Sequence, residues 1–413
     1  MVDLSGTERR TSPHRTSVKL EALRVRNYRC FRNVDIPDIP QFCVLVGANG
    51  AGKTTFFDVF GFLRDALTNN VRQALQVRGG FGEVISRGAE QETIQIDLKF
   101  RMPLVGKERL VAYRLEIGLD EQKQPCVRRE VLRYKRSTYG SPYHFLDFQN
   151  GQGFAISNEE DFDKPDEKLN RELQSLDDPH ILAIKGLGQF QRFKAASSLR
   201  SLIESWHLSD FHIGAAHGAT AHGYAEHLSV QGDNLPLVAQ FLYERYPPLF
   251  DAILKKMERR VPGVVNVQAK PTEDGRLVLR FQDGSFKDPF VSRWVSDGTI
   301  KMFAYLVLLH DPAPHPLLCV EEPENQLYPS LLRELAEEFQ EYAQRGGQAF
   351  VSTHSPDFLN AVPLESIYWL EKVAGYTRFV KASGDETLRN LIREGDRPGY
   401  LWSQGLFGRV DPR

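Results

Sequence analysis

Eight residues, Gly47-Ala48-Asn49-Gly50-Ala51-Gly52-Lys53-Thr54, narrow the folds open to this chain more than anything else in it. They fit G-x-x-x-x-G-K-[ST], a loop that works between a buried parallel strand and the first turn of a helix. The flanks supply both. Val44-Leu45-Val46 is an unbroken apolar run, as a strand buried on both faces requires, and Thr54-Thr55-Phe56-Phe57-Asp58-Val59-Phe60 reads as a helix. Glycines let the backbone turn tightly and aim N–H groups at phosphate oxygens, and the helix N-terminus adds partial positive charge. In that setting Lys53 is expected on the β- and γ-phosphates of a nucleotide and the Thr54 hydroxyl on Mg2+.

Three clusters near the other end extend this site. Leu317-Leu318-Cys319-Val320 is a second apolar run, and it ends in Glu321-Glu322-Pro323. Open α/β sheets bind ligands beyond the carboxyl ends of their strands, so these two carboxylates are expected beside the phosphate loop. Glu321 would hold Mg2+ directly or through water, and Glu322 would orient or deprotonate the attacking water. Alone, Glu-Glu-Pro reads equally well as a solvated strand end. Gln348-Ala349-Phe350-Val351 delivers Ser352-Thr353-His354 in the same way, and a histidine there can reach a γ-phosphate. Ser296-Asp297-Gly298-Thr299 precedes a helix expected over 299–309.

Together these residues resemble the ABC-type ATPases of the SMC/RecF branch, and within it compact ATPases related to the ATPase half of OLD-family proteins. The resemblance rests on the phosphate loop 47–54, the signature Val295-Ser296-Asp297-Gly298-Thr299 and the acidic motif Cys319-Val320-Glu321-Glu322-Pro323-Glu324-Asn325. The dimer-facing segment Asn325-Gln326-Leu327-Tyr328-Pro329 and the switch Ser352-Thr353-His354-Ser355-Pro356 also match, and the opening 20–31 resembles the family's first strand and its nucleotide-contacting turn. It implies an α/β fold: a split P-loop ABC-type ATPase head with an antiparallel β subdomain and a helical insertion. The core is expected in two parts, 18–104 and 286–413, around an inserted β/helical lid region over 105–285, behind a disordered tail over 1–17.

The same resemblance implies ATP and Mg2+ as cofactors. Arg29, Asn49, Gly50, Gly52, Lys53, Thr54 and Thr55 would contact nucleotide, Thr54 and Glu321 would hold the metal, and Glu322 and His354 would be catalytic. Ser296 and Gly298 would close over nucleotide held by a partner subunit. The assembly would be a head-to-tail homodimer or a higher homo-oligomer around ATP. Its output would be control of a separate effector, a nuclease or toxin, in anti-phage defence or DNA repair, with DNA or RNA as a further candidate partner. The rival is a scaffold that binds ATP without hydrolysing it. Two positions depart from the family pattern: the first acid is Glu321 rather than Asp, and the signature reads Ser-Asp-Gly-Thr rather than Ser-Gly-Gly. A hydroxyl and a backbone N–H still suffice to address a γ-phosphate. The glutamine this class places after its first helix is not assignable; Gln91 and Gln95 are the candidates.

Composition narrows the partners. A net charge of −2 marks no bulk nucleic-acid binder, so any such contact must come from a local patch. Arg129, Arg133 and Lys135 share one face of a strand expected over 127–136 and could form one, although solvated charge is the commoner outcome. Cys30, Cys43, Cys126 and Cys319 are scattered without a C-x-x-C, which fits a reducing cytoplasm. No apolar run reaches the length of a membrane span, and residues 1–17 lack the apolar core of a signal peptide. The middle sustains no heptad repeat, so long coiled-coil arms are not expected. After His354 about sixty residues remain, too few for a typical added domain, so chemistry on nucleic acid is expected from a second polypeptide. His212, His217 and His222 recur at five-residue spacing without a completing carboxylate or cysteine, and read as a polar loop. Strands are expected over 93–100, 110–118, 264–269 and 277–281, helix within 177–203 and over 235–246, and a short tail after a strand over 377–381.

Overall fold

Along the strand Phe42–Gly47 every residue is buried, and successive side chains enter opposite cores. Cys43 and Leu45 face one core, while Phe42, Val44 and Val46 face the other. A strand covered on both faces belongs at the centre of a layered α/β fold, and that is its place in the computed structural model. The structure describes residues 18–135, 141–159, 165, 168–211 and 213–408; the tail expected over 1–17 and His212 lie outside them. The central sheet has six strands in the order His207–Ser209, Leu318–Glu321, Ala349–Ser352, Phe42–Gly47, Ile367–Val373 and Tyr376–Lys381. Its first five strands are parallel and the last pair is antiparallel. Register puts Glu321 opposite Ser352 and Ser352 opposite Leu45, so motifs far apart in sequence meet at one edge of the sheet.

One core lies between this sheet and an eight-stranded antiparallel sheet. The latter runs from Phe31–Ile36 and Lys19–Tyr28 through Ile94–Leu104, Lys107–Leu119 and Pro125–Tyr134 to Tyr143–Gln149, Gln152–Ile156 and Arg171–Ser175. The helix Lys53–Thr68 packs between the sheets. Its Phe56 and Phe60 meet Phe350 of the central sheet at ring distances of 5.3 and 5.5 Å. The second core is built on the helix Asp297–Leu309, buried at every position from Thr299 onward. Helices Leu235–Arg245, Pro247–Arg260 and Pro329–Gln344 cover it, and a small antiparallel sheet adds Val267, Leu279 and Phe281. Pro247 opens the second of these helices at its first position, where the missing N–H costs nothing.

Several elements differ from expectation. Within 177–203 only Ala183–Leu187 and Lys194–Glu204 are helical. The residues after Lys381 are not a plain tail: Glu386–Glu394 is a helix with Asp385 capping Leu388 N–H and Gly395 ending it at φ 107°. The helix Pro398–Ser403 follows and buries Trp402. Of the basic face expected over 127–136, Arg129 and Arg133 line one hollow together with Lys99, Arg114, His144 and the acid Asp97. Arg129 there is committed to Asp147 at 3.1 Å. Glu130, between them, is fully buried and accepts the N–H groups of Ala183 and Ile184 and the Tyr113 hydroxyl. Among the described residues no helix is long and apolar enough to cross a membrane.

Candidate nucleotide site

The phosphate loop is shaped by what presses on it. Gly50 and Gly52 have φ of 76° and 111°, left-handed values that an L side chain adopts at a cost. A Cβ on Gly52 would meet Thr377 Oγ1 at 2.6 Å and Cys30 Sγ at 3.0 Å. Thr377 also donates its hydroxyl to the Ala51 carbonyl at 2.7 Å and its N–H to the Cys30 carbonyl at 2.9 Å. The terminal hairpin therefore clamps the loop from outside. Asn49 and Gly50 lie exposed at its crest. Thr55 is buried, its Oγ1 accepting from Cys30 Sγ at 3.3 Å.

Three expected residues, Thr54, Glu321 and Glu322, line one cleft of about 1020 Å³, together with Asp210, Lys301 and Asn325. Thr54 Oγ1 donates to Glu321 Oε2 at 2.9 Å, which brings the two expected metal ligands into direct contact. Glu322 has φ 44°, uncommon for a residue with a Cβ, and its N–H donates to the Ser352 carbonyl at 2.9 Å. That turn separates the adjacent carboxylates: Glu321 meets Thr54, while Glu322 meets Asn325 Nδ2 at 3.2 Å and His354 Nε2 at 3.4 Å. The nearby Glu324 accepts the His354 N–H at 2.6 Å. A hydroxyl and a carboxylate are hard oxygen donors of the kind Mg2+ takes, so the set fits that ion.

The cations of the site do not answer its carboxylates. Lys53 Nζ donates to the carbonyls of Gly47 and Ala48 at 2.7 and 3.2 Å. Lys301 Nζ donates to the Asn325 carbonyl at 2.7 Å. Burial lowers the Lys53 pKa and takes that of Lys301 to about 8, against the pull of Glu322 and Glu324 on both. Burial raises Glu321, and Glu322 and Asp210 add to the rise against the Thr54 hydrogen bond. Burial also raises Glu324. His354 is lowered by burial and then by Lys53.

Other expected residues lie elsewhere. Arg29, at φ 48°, pairs with Asp58 at 3.2 Å and lines a separate hollow with Arg87 and Tyr376. Gln91 and Gln95 share another hollow with Arg26 and Arg32, so neither lines the cleft. Ser296 caps its helix by accepting the Thr299 N–H at 3.3 Å, and it remains exposed outside the cleft. Gly298 packs so closely that a Cβ would meet the Gln326 carbonyl at 2.8 Å. His217 braces this turn through Ser292 O at 2.8 Å and Asp297 Oδ1 at 2.9 Å, and His222 is exposed. Sequence reasoning missed Asp210, Thr377 and Lys301. Only Lys301 left a signal: it is the one charged residue after Asp297 in an otherwise apolar helix.

Residues 42–360 match the family described as "AAA domain, putative AbiEii toxin, Type IV TA system". The chain is similar to the DNA replication and repair protein RecF of Renibacterium salmoninarum, 28% identical over 124 residues, 30% of this chain and 29% of that one. It is also similar to the protein of the same name from Lacticaseibacillus casei, 25% identical over 141 residues, 33% and 38% of the two chains. It thus spans less than half the length of these curated relatives. Among solved structures, an SMC head crystallised with the C-terminal winged-helix domain of ScpA superposes with a TM-score of 0.53 at 13% identity. That superposition covers 87% of this chain and 96% of that one, and it shows a shared fold.

Proposed function

This chain belongs to that AAA-domain family, as an ABC-type ATPase of the SMC/RecF branch, and from that premise we propose that it is an ATP-hydrolysing switch. The observation that carries the reading is the Thr54–Glu321 contact beside Lys53, Glu322 and His354, assembled from three neighbouring parallel strands. Bound Mg2+–ATP supplies the phosphoanhydride and the positive charge the carboxylates lack. Lys53 exchanges the Gly47 and Ala48 carbonyls for phosphate oxygens, while Thr54 and Glu321 hold the metal. Glu322, steadied by Asn325, takes the proton of the attacking water, and His354 senses the γ-phosphate. Asn49, Gly50, Gly52 and Thr55 complete the phosphate cradle, and Arg29 leaves Asp58 to reach the nucleotide.

Ser296 and Gly298 act in trans. Their exposed turn lies outside the cleft of their own subunit, and large exposed aromatics stand close by: Trp294, just before the signature, at 77% and Tyr328, in the dimer-facing segment, at 73%. Such residues suit a face that closes on a second copy. Two ATP molecules would then lie in a head-to-tail homodimer in the cytoplasm, closing on binding and opening on hydrolysis. The relatives' printed roles, DNA replication and repair in one case and toxin–antitoxin systems in the other, favour an output on nucleic acid through a separate nuclease or toxin. The resemblance to the ATPase half of OLD-family proteins points the same way.

Ser296→Arg tests the shared site. The variant should bind ATP and hydrolyse none, because a bulky cation replaces the hydroxyl offered to the partner's nucleotide. Mixed with Lys53→Ala, it places both lesions in one composite site and leaves the other intact, so part of the turnover should return. Full phosphate release from the Ser296→Arg homodimer would remove the signature from the active site.

A further inference from the structure

Among the described residues two groups bring three metal-capable side chains within 4.8 Å of one another: His310, Glu338 and Glu341, and His227, Asp311 and His315. The first is already filled with positive charge. Lys256 Nζ lies 2.6 Å from Glu338 and 2.9 Å from Glu341, and Arg260 also binds Glu338. Among the described residues the second group has no lysine or arginine paired to it, and its histidines are prepared differently.

His315 Nδ1 lies 3.1 Å from the Ser205 carbonyl oxygen. A carbonyl only accepts, so Nδ1 carries the proton and the neutral ring presents a bare lone pair at Nε2. That Nε2 is buried and makes no hydrogen bond. A buried acceptor left so is costly and uncommon. His207, 4% exposed, lies against the same ring with centroids 4.7 Å apart and planes at 28°, and its own Nε2 is also buried without a hydrogen bond. His227 Nδ1 lies 2.6 Å from Asp311 Oδ2. The Asp311 side chain is 4% exposed and its other oxygen accepts the Ala313 N–H at 2.7 Å, whereas His227 is 43% exposed and opens the group to solvent.

We propose that His227, Asp311 and His315 bind a divalent first-row transition ion of the zinc type. Two imidazoles and a carboxylate are donors such ions favour over Mg2+, with a fourth position left for water. The Ser205 carbonyl fixes the His315 tautomer, as outer partners of metal-bound histidines do. The ion replaces the proton that His227 shares with Asp311, and that proton leaves to solvent. The 2.6 Å contact then opens to the roughly 3.3 Å between neighbouring ligands on a tetrahedral ion with bonds of about 2.0–2.1 Å. The exposed position of His227 allows that movement.

The site lies at the amino end of the strand Leu318–Glu321, opposite the end that carries Glu321. It joins the connection between the signature helix and the acidic-motif strand to the segment between Thr220–Ala221 and the helix Leu235–Arg245. The edge strand His207–Ser209 backs it. The ion is therefore a clip between the inserted segment and the core, and the inference does not rest on the nucleotide reading.

Zinc itself is the probe, titrated into the whole protein in excess Mg2+ against a chromogenic zinc chelator. Excess Mg2+ occupies the oxygen-donor site at Thr54 and Glu321 and competes poorly for imidazole. The expected result is one zinc retained per chain, with proton release and a rise in Tm. His227→Gln should weaken that binding at least about tenfold, the low end of what even an outer-shell lesion costs. Loss of the Asp311 contact should lower the Tm of the metal-free protein only modestly, and a cooperative thermal transition in that variant separates lost binding from misfolding. Asp311→Asn should weaken binding in the same way. Failure to hold zinc against the chelator, or the same stoichiometry and affinity in His227→Gln, overturns the site.

Discussion

Glu338 and Glu324 are both drawn out of water in the half of the molecule that carries the signature helix, and they are treated in opposite ways. Lys256 donates to both oxygens of Glu338 at 2.6 and 2.7 Å, and Arg260 adds a third contact. Burial alone would raise this carboxyl, but the cations outweigh it and hold it below the usual range. At the acidic motif burial prevails, and Glu321 and Glu324 stand above it. Lysines are present there too, but Lys53 and Lys301 spend their hydrogen bonds on the carbonyls of Gly47, Ala48 and Asn325. Charges that hold the fold find partners within the chain. Charges that do chemistry are left short of one, to be completed by a ligand cation.

Glu338→Ala should have the largest effect on the fold. It takes from Lys256 and Arg260 the buried partner they share, leaving them Glu341 and Glu334 at 2.9 and 2.7 Å, and should cost up to about 3 kcal/mol in denaturant unfolding. Nucleotide affinity of the folded fraction should be unchanged, and a loss of affinity would merge the two regions that the comparison separates. Lys53→Ala does the reverse. It removes a charge-assisted contact to phosphate and should weaken binding of a slowly hydrolysed ATP analogue about 100-fold by calorimetry, with Tm little altered. Unchanged affinity there would end the assignment of the loop.

The smallest effect is the most diagnostic. Glu321 and Glu324 have folded pKa values raised above their ordinary 4.5. Their contribution to stability is therefore fully present below about pH 4.5 and is lost as pH rises through the raised values. Glu338 has the opposite sign: it contributes above about pH 4.5 and loses that contribution as pH falls through its depressed value. Glu321→Gln should flatten the decline on the alkaline side and stabilise the nucleotide-free protein by less than about 1 kcal/mol, since the group is partly screened by solvent. Mg2+ with nucleotide should flatten it likewise in the wild-type protein. Unfolding free energies measured from about pH 2 to about pH 8 would show both slopes, and a Glu321→Gln variant less stable than wild type would reverse the sign argued here.

The phosphate loop and the strands behind it were legible because burial on both faces writes itself as an unbroken apolar run. Phe42–Gly47, Leu318–Glu321 and Ala349–Ser352 all have that form, and each carries its motif at the carboxyl end. The edge strand His207–Ser209 has three residues, too few for any periodicity, so Asp210 beyond it went unnoticed. Thr377 was invisible because nothing local marks a threonine that donates across 326 positions to Ala51. The acids that answer the basic face expected over 127–136 come from other strands, Asp147 beside Arg129 and Asp97 beside Arg114, so its neutralisation leaves no local mark in the sequence. Asp385 and Gly395 are ordinary helix punctuation, and reading them would have turned the short tail into the helix it is.

The central claim is that Glu322 is the base of a site shared by two subunits. Glu322→Gln keeps the shape of the carboxylate and removes its basicity, so this variant should bind Mg2+–ATP and stall before cleavage. On size exclusion with light scattering it should run as a 47.0 kDa monomer without nucleotide and at twice that mass with Mg2+–ATP, with phosphate release at least about 100-fold below wild type. A variant that stays monomeric with ATP bound, or one that turns over at the wild-type rate, would contradict the account.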